Sequence, residues 1–248
     1  EDPLETMSVQ ELYQQAHQSL IDHDYSGAEF ALQRLVARFP FGPYAEQAQL
    51  DLAYAQYKNG KPDDAYSGVN RFIKTYPAQK HIDYAYYLRG LINFDRSSGF
   101  VARIAHKDSS RRDPGFEQQS FEDFTQLVQR YPNSRYTPDA RQRMVFLRNQ
   151  LAKHELHIAK NYLRRQAYVG AVQRAKYIIS HYQTSPETGD ALAIMAKSYQ
   201  ALGRSKLAAD ALKVLKANYP QHAYLSDPQD WPHFHSLFYR IIPFTAQG

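Results

Sequence analysis

Cysteine is absent from all 248 residues, which removes disulfides, thiolate zinc sites and cysteine nucleophiles from consideration. No run approaches the roughly 18 apolar residues of a membrane span. No signal peptide stands at Glu1, and the chain does not begin with methionine, so a processed or shortened N-terminus is expected. There is no glycine-rich phosphate loop and no G-x-S-x-G elbow, so neither nucleotide chemistry nor a serine hydrolase has a motif to stand on. No segment alternates with period two for long, so β structure is not expected. Lysine and arginine number 30 against 25 acidic residues, a net charge of +5, without a long basic stripe. Nucleic acid is therefore not expected as a partner. What the chain does hold is 43% apolar residues, with 20 tyrosines and 13 phenylalanines, enough for a real core, and only 22% charge.

An aromatic-proline pair recurs at Phe39-Pro40, Tyr76-Pro77, Tyr131-Pro132 and Tyr219-Pro220, and Tyr182-Gln183 reads as a degenerate fifth copy. Twelve residues before each endpoint stand Ala28, Ala65, Ser120, Ala171 and Ala208. Twenty-four before stand Ala16, Ala53, Ala159 and Ala196, while Gly90 takes this place in the third copy. Small residues suit positions where two helices cross, and proline ends a helix because it lacks an amide hydrogen and disfavours a helical residue before it. The pattern predicts an all-α solenoid of about five tetratricopeptide helix pairs, each about 34 residues long. Asn59-Gly60-Lys61-Pro62 and Ala201-Leu202-Gly203-Arg204 read as turns within pairs, glycine closing one helix and proline opening the next.

Two departures stand out. Residues 96–115 interrupt the third repeat with a serine- and arginine-bearing insertion, either functional or a tolerated surface loop, expected to be exposed and removable. Thr137-Pro138-Asp139 opens a helix with no glycine or proline until Gly170, so one long helix is expected from 137 to 165. The expected layout is a flexible end at 1–7, repeats one to three at 8–132, the long helix with repeats four and five at 133–220, and an aromatic tail at 221–248.

No catalytic constellation is found, and neither metal nor cofactor is expected. His154 and His157 lie three apart, not four as in H-E-x-x-H, and lack a third ligand. His233 and His235 are weaker still. Asp63-Asp64 and Glu122-Asp123 are expected early in second helices, where they complement the helix dipole. What remains is surface. A repeat array offers a groove lined by its first helices, suited to a peptide, with Tyr54, Tyr57, Tyr84, Tyr86 and Tyr87 as candidates to line it. For any one of them, packing in the core or between helices is the competing reading. In the tail, Phe234, Leu237, Phe238 and Ile241 share one helical face, as a cap on the last repeat or as a contact for a partner or membrane surface.

Beyond the generic repeat, Arg38-Phe39-Pro40-Phe41-Gly42-Pro43-Tyr44 and Gln49-Leu50-Asp51-Leu52-Ala53-Tyr54-Ala55 closely resemble the BamD (ComL) family. Ile82-Asp83-Tyr84, Leu88-Arg89-Gly90-Leu91, Arg112-Asp113-Pro114, Phe121-Glu122-Asp123-Phe124, Tyr131-Pro132-Asn133-Ser134 and Ala167-Tyr168 continue the match, over roughly residues 8 to 220. The tail beyond matches poorly. The resemblance implies a lipoprotein on the periplasmic face of the outer membrane, part of the machinery that folds and inserts β-barrels. It implies a C-terminal half that docks on the POTRA domain of BamA and meets BamE. It also implies an N-terminal half that meets BamC and receives unfolded outer-membrane barrel proteins. The family carries an acylated cysteine at its mature N-terminus; this chain has none, so the lipid-bearing end is expected to have been omitted or changed, leaving a soluble product. By the resemblance, Arg174 matches the arginine implicated in BamA contact. Arg165 lies nearby, beside Gln166 where the family commonly has glycine, which puts that turn in question. Phe39, Phe41 and Tyr44 are candidates for the N-terminal pocket, or are structural at the repeat junction. The expected function is thus a non-catalytic assembly scaffold, with a peptide-binding adaptor outside this machinery as the alternative.

Overall fold

Ser8 starts the first helix. Its Oγ accepts from the Glu11 N–H (3.3 Å), and the Glu11 carboxylate accepts from the Ser8 N–H (2.7 Å), a reciprocal cap. A computed structural model describes residues 4, 6–98 and 114–232. Eleven helices and no strand occur among the described residues. They are α1 (Val9–Ile21), α2 (Tyr25–Arg38), α3 (Pro43–Lys58), α4 (Pro62–Thr75), α5 (Ile82–Ser98) and α6 (Gly115–Arg130). Then follow α7 (Thr137–Arg164), α8 (Tyr168–His181), α9 (Thr188–Ala201), α10 (Ser205–Asn218) and the short α11 (Ala223–Ser226). The first ten form the five expected antiparallel pairs, and α7 is the expected long helix at 28 residues.

The recurring residues do what their size and chemistry demand. Ala16, Ala53, Ala159 and Ala196 are buried, as are Ala28, Ala65, Ser120, Ala171 and Ala208, none more than 7% exposed. In the third pair, a Cβ on Gly90 would stand 2.5 Å from ring atoms of Phe124, closer than carbon atoms pack. Ser120 Oγ donates to the Gly90 carbonyl at 2.9 Å in the same buried crossing. Every second helix ends on the aromatic residue. Phe39, Tyr76, Tyr131, Tyr182 and Tyr219 share φ between −126° and −135°. Each donates its N–H to the carbonyl four residues back. Tyr182, the copy without a following proline, has the lowest ψ, 38° against 57–72°, because nothing pushes it toward the extended region.

The turns within four pairs are also alike. Each closes with a six-to-one and a five-to-two backbone bond, as at Lys61 N–H to Gln56 O (2.9 Å) and Gly60 N–H to Tyr57 O (3.3 Å). The residue at the left-handed position is Gly60 (φ +75°), Gly203 (φ +67°), His23 (φ +59°) or Gln166 (φ +60°). The turn questioned at Gln166 therefore keeps its geometry, with a side chain held where glycine fits without strain.

Four expectations are corrected. The third-repeat interruption does not begin at residue 96: α5 runs on through Ser98, Gly115 already belongs to α6, and residues 99–113 lie outside the described ones. The first residues are not simply a loose end, because Leu4 is buried against the α1–α2 core and its carbonyl accepts from Arg38 Nη1 at 2.6 Å. The break between halves falls inside α7, since the compact units are Glu1–Gln150 and Leu151–Gly248. Asp123 is not an early dipole partner; it sits in the middle of α6, buried. Asp63 and Asp64 do occupy the first turn of α4.

Asp123 anchors a buried polar network in the first unit. Arg89 Nε lies 2.9 Å from Asp123 Oδ1, with its N–H not aimed along the contact, so this pair is Coulombic more than hydrogen-bonded. The rest of the guanidinium is committed, donating to Asn70 Oδ1 (3.0 Å) and Gln126 Oε1 (2.8 Å), while Asn93 donates to Asp123 Oδ2 (2.9 Å). Burial pushes the Asp123 carboxyl up, and Arg89 only partly opposes it.

In the second unit Asp190 joins α9 to its neighbours. It takes Lys160 Nζ at 2.5 Å and His222 Nε2 at 2.8 Å. His222 Nδ1 accepts from the Tyr224 N–H (3.2 Å), so the proton sits on Nε2. Lys197 Nζ donates to the carbonyls of Pro228 (3.0 Å), Gln229 (3.0 Å) and Trp231 (2.6 Å), pinning the chain after α11. Tyr224 and Trp231 are buried there, edge to face at 5.4 Å. Up to residue 232 the tail thus packs as a cap; Phe234, Leu237, Phe238, Ile241, His233 and His235 lie outside the described residues.

Candidate functional site

The first helices of the first unit are laced by tyrosine–carboxylate bonds. Tyr13 on α1 donates to Asp51 on α3 at 3.0 Å, Tyr57 on α3 donates to Asp95 on α5, and Tyr87 on α5 donates to Asp139 on α7 at 2.7 Å. In the first two the acceptor follows the tyrosine by 38 residues, about one repeat; the insertion lengthens the third to 52. Burial, then the neighbouring carboxylate, raises the pKa of all three phenols, that of Tyr87 to about 12, so they remain protonated donors. Asp51 is itself pushed up by burial, against bonds from Gln47 and Tyr13 that favour its charge. Asp139 goes the other way: burial raises it, but bonds from Arg143 and Tyr87 prevail and hold it below the usual range.

The six proposed peptide-binding side chains separate on this frame. Tyr54, Tyr57 and Tyr84 pack on one core cluster together with Tyr87 and Tyr136. There Tyr87 and Tyr136 stack at 4.8 Å, and Tyr84 lies 5.2 Å from Tyr136. Tyr54 turns its edge to Tyr25 at 6.3 Å. Tyr44 belongs elsewhere. Its ring meets Tyr13 at 5.4 Å beside a groove of about 650 Å³, also lined by Gln47, Lys80 and His81. Phe39 packs into the α1–α2 core beneath the Arg38 guanidinium, the junction role left open for it. Phe41 is 89% exposed. Tyr86 is a core residue, with Arg89 at 5.0 Å over its ring. Sequence reasoning missed Tyr13, Tyr136 and the three acceptor carboxylates; the 38-residue offset was the signal available for two of them.

The second unit places Arg174 on α8, where its Nη1 lies 3.0 and 3.4 Å from the two oxygens of Glu155 on α7. The Arg174 side chain is 44% exposed and that of Glu155 only 11%. Tyr177 and His181, three and seven residues on, stack at 4.0 Å, and Tyr177 meets Tyr182 at 5.8 Å. Arg165 is exposed just beyond α7, and no contact joins it to Arg174. Among the described residues no three potential metal ligands cluster, His154 and His157 included. Nor is any described helix long and apolar enough to cross a membrane.

Residues 5–215 match the profile of the YfiO family, described as outer membrane lipoprotein. The chain is 43% identical over 241 residues to the outer membrane protein assembly factor BamD of Xylella fastidiosa strain Temecula1, covering 97% of this chain and 82% of that one. At that coverage the alignment extends into the aromatic tail, which the family profile stops short of. The factor of the same name from Neisseria meningitidis serogroup A is 40% identical over 228 residues, covering 91% and 85%. That of Vibrio cholerae is 37% identical over 193, covering 78% and 80%. With this identity sustained along all five helix pairs, the chain belongs to the BamD family of outer membrane lipoproteins.

Proposed function

We propose that this chain is a non-catalytic scaffold of outer membrane β-barrel assembly, held at the periplasmic face of the outer membrane by a lipid on its N-terminal end. The family supports a role in outer membrane protein assembly. The two units supply two kinds of surface. On the first, the hydroxyls of Tyr13, Tyr57 and Tyr87 are committed to carboxylates within the chain, so beside them an arriving segment meets ring faces and acidic edges. Such a surface suits apolar and basic side chains of an unfolded barrel protein, or an extended segment of BamC. Tyr44, Tyr54, Tyr57, Tyr84 and the exposed Phe41 are its contact residues. On the second, Arg174 and Arg165 meet the POTRA domain of BamA, with BamE alongside.

The observation that carries this reading is the half-exposed Arg174 guanidinium, a planar fork suited to a partner's carboxylate, on a chain of this family. The test is a titration of the isolated BamA POTRA region against the full chain and its Arg174→Gln variant. Arginine contacts of this kind commonly dominate an interface, so a loss of about tenfold or more is expected. Unchanged affinity, with the helical signal and melting intact, removes Arg174 from the docking surface. Arg174→Glu is a poorer probe, because it would set a second carboxylate against the nearly buried Glu155.

A further inference from the structure

A guanidinium and a carboxylate that satisfy each other completely meet along two parallel N–H···O bonds. Arg174 and Glu155 do not. Both Glu155 oxygens are served by a single nitrogen, Nη1, at 3.0 and 3.4 Å, and among the described residues no other group bonds to Arg174. The edge formed by Nε and Nη2 is left open on a side chain 44% exposed. The carboxylate that does the holding is nearly buried and comes from the neighbouring helix α7. Tyr177 and His181 continue the same side of α8 as a stacked pair, three and seven residues from Arg174. Their rings offer a flat apolar flank beside the open edge.

We propose that Glu155 is a positioning residue. It pins one corner of Arg174 so that the other edge is presented to a bidentate anionic group, a carboxylate on a partner protein, with Tyr177 and His181 as the apolar flank. The inference rests on the docking surface proposed above and adds the residue that prepares it. An arginine free in solvent loses rotamer freedom on binding; one already fixed at a corner loses less, and the difference appears as affinity. Glu155 thus acts through Arg174 and touches no partner itself.

The test is a double-mutant cycle on the full chain, with the isolated BamA POTRA region as probe and melting followed in parallel. Glu155→Ala should weaken binding about two- to tenfold, the range expected for ordering one long side chain. Glu155→Gln, whose amide oxygen still accepts from Nη1, should lose less. In an Arg174→Ala background, Glu155→Ala should change affinity no further. Three outcomes overturn the inference. If Glu155→Ala binds as well as or better than the parent while Arg174→Ala binds weakly, Glu155 competes with the partner or is idle, and the docking surface stands without it. If Glu155→Ala costs the same with and without Arg174, Glu155 acts directly or through the fold. If Arg174→Ala leaves binding unchanged, the docking surface itself is wrong, and the positioning role goes with it.

Discussion

In the first unit, neighbouring first helices are tied by phenol-to-carboxylate bonds, and a committed arginine lies in the core. In the second, the ties are ammonium and imidazole to carboxylate, at Lys160, Asp190 and His222, and the arginine at the helix pair is half open. The aromatic unit has spent its donors inside: Tyr13, Tyr57 and Tyr87 each have an intrachain acceptor, and Arg89 has three side-chain neighbours. The second unit keeps a donor edge available at Arg174. The same repeat therefore yields a ring-lined face in one place and a charged fork in another. The difference lies in where each donor's acceptor sits.

The contrast is sharpest at buried charge. Arg89→Met strands Asp123 in the core, and losing one member of a buried pair costs about 3–5 kcal/mol. Trp231 is the sole tryptophan and belongs to the second unit, so its fluorescence reports that unit while circular dichroism reports all helices. The dichroism transition should move to lower denaturant and the fluorescence transition stay. If both move together, the two units unfold as one and the comparison fails. Gly90→Ala should follow at about 1–3 kcal/mol, the usual penalty for overpacking, because its Cβ meets the Phe124 ring at 2.5 Å. Gly68→Ala, with its nearest neighbour at 3.4 Å, is the control that should melt near the parent.

Lys197→Met tests the other unit. It removes the cation that holds three carbonyls and should cost about 1–2 kcal/mol, with Trp231 emission shifting to the red. An unshifted spectrum would mean that ring packing alone seats the tail. Gln166→Gly acts in the opposite sense, relieving a left-handed side chain for a gain of about 0.5–1 kcal/mol, read as a higher melting temperature. The smallest effect is expected of Asp51→Asn and depends on pH. Burial raises the Asp51 carboxyl above its unfolded value, so its ionisation weakens the fold as pH rises through that raised value. The variant should be the more stable near neutrality. The advantage should vanish as the parent protonates on acidification below the ordinary aspartate range. An advantage that persists in acid would assign the effect to something other than charge.

Much of the fold was legible because its signals are local. A buried crossing tolerates only a small residue whatever surrounds it, so Ala16 and Ala53 could be read from spacing, and Gly90 from its size where the insertion breaks the count. The aromatic stop was legible too, even at Tyr182, since the helix end depends on neighbours in sequence. The surfaces were harder. Tyr54, Tyr57 and Tyr84 do pack on one cluster, but Phe39 and Tyr44 were placed with Phe41 because they are adjacent in the chain, and the fold sends the three to different surroundings. Asp123 was misread although the insertion was ended at 115, where α6 does start: it stands eight residues beyond Gly115, about two turns into the helix and past the reach of the N-terminal dipole.

The sequence by itself determined the five helix pairs, their crossings and their stops, because backbone geometry and side-chain volume act over a few residues. Only the tertiary structure decided which tyrosines have their hydroxyls taken and which edge of Arg174 stays open. Those facts depend on acceptors one repeat away or on the facing helix, and hydrogen bonds are set by distances that folding alone brings down to 3 Å.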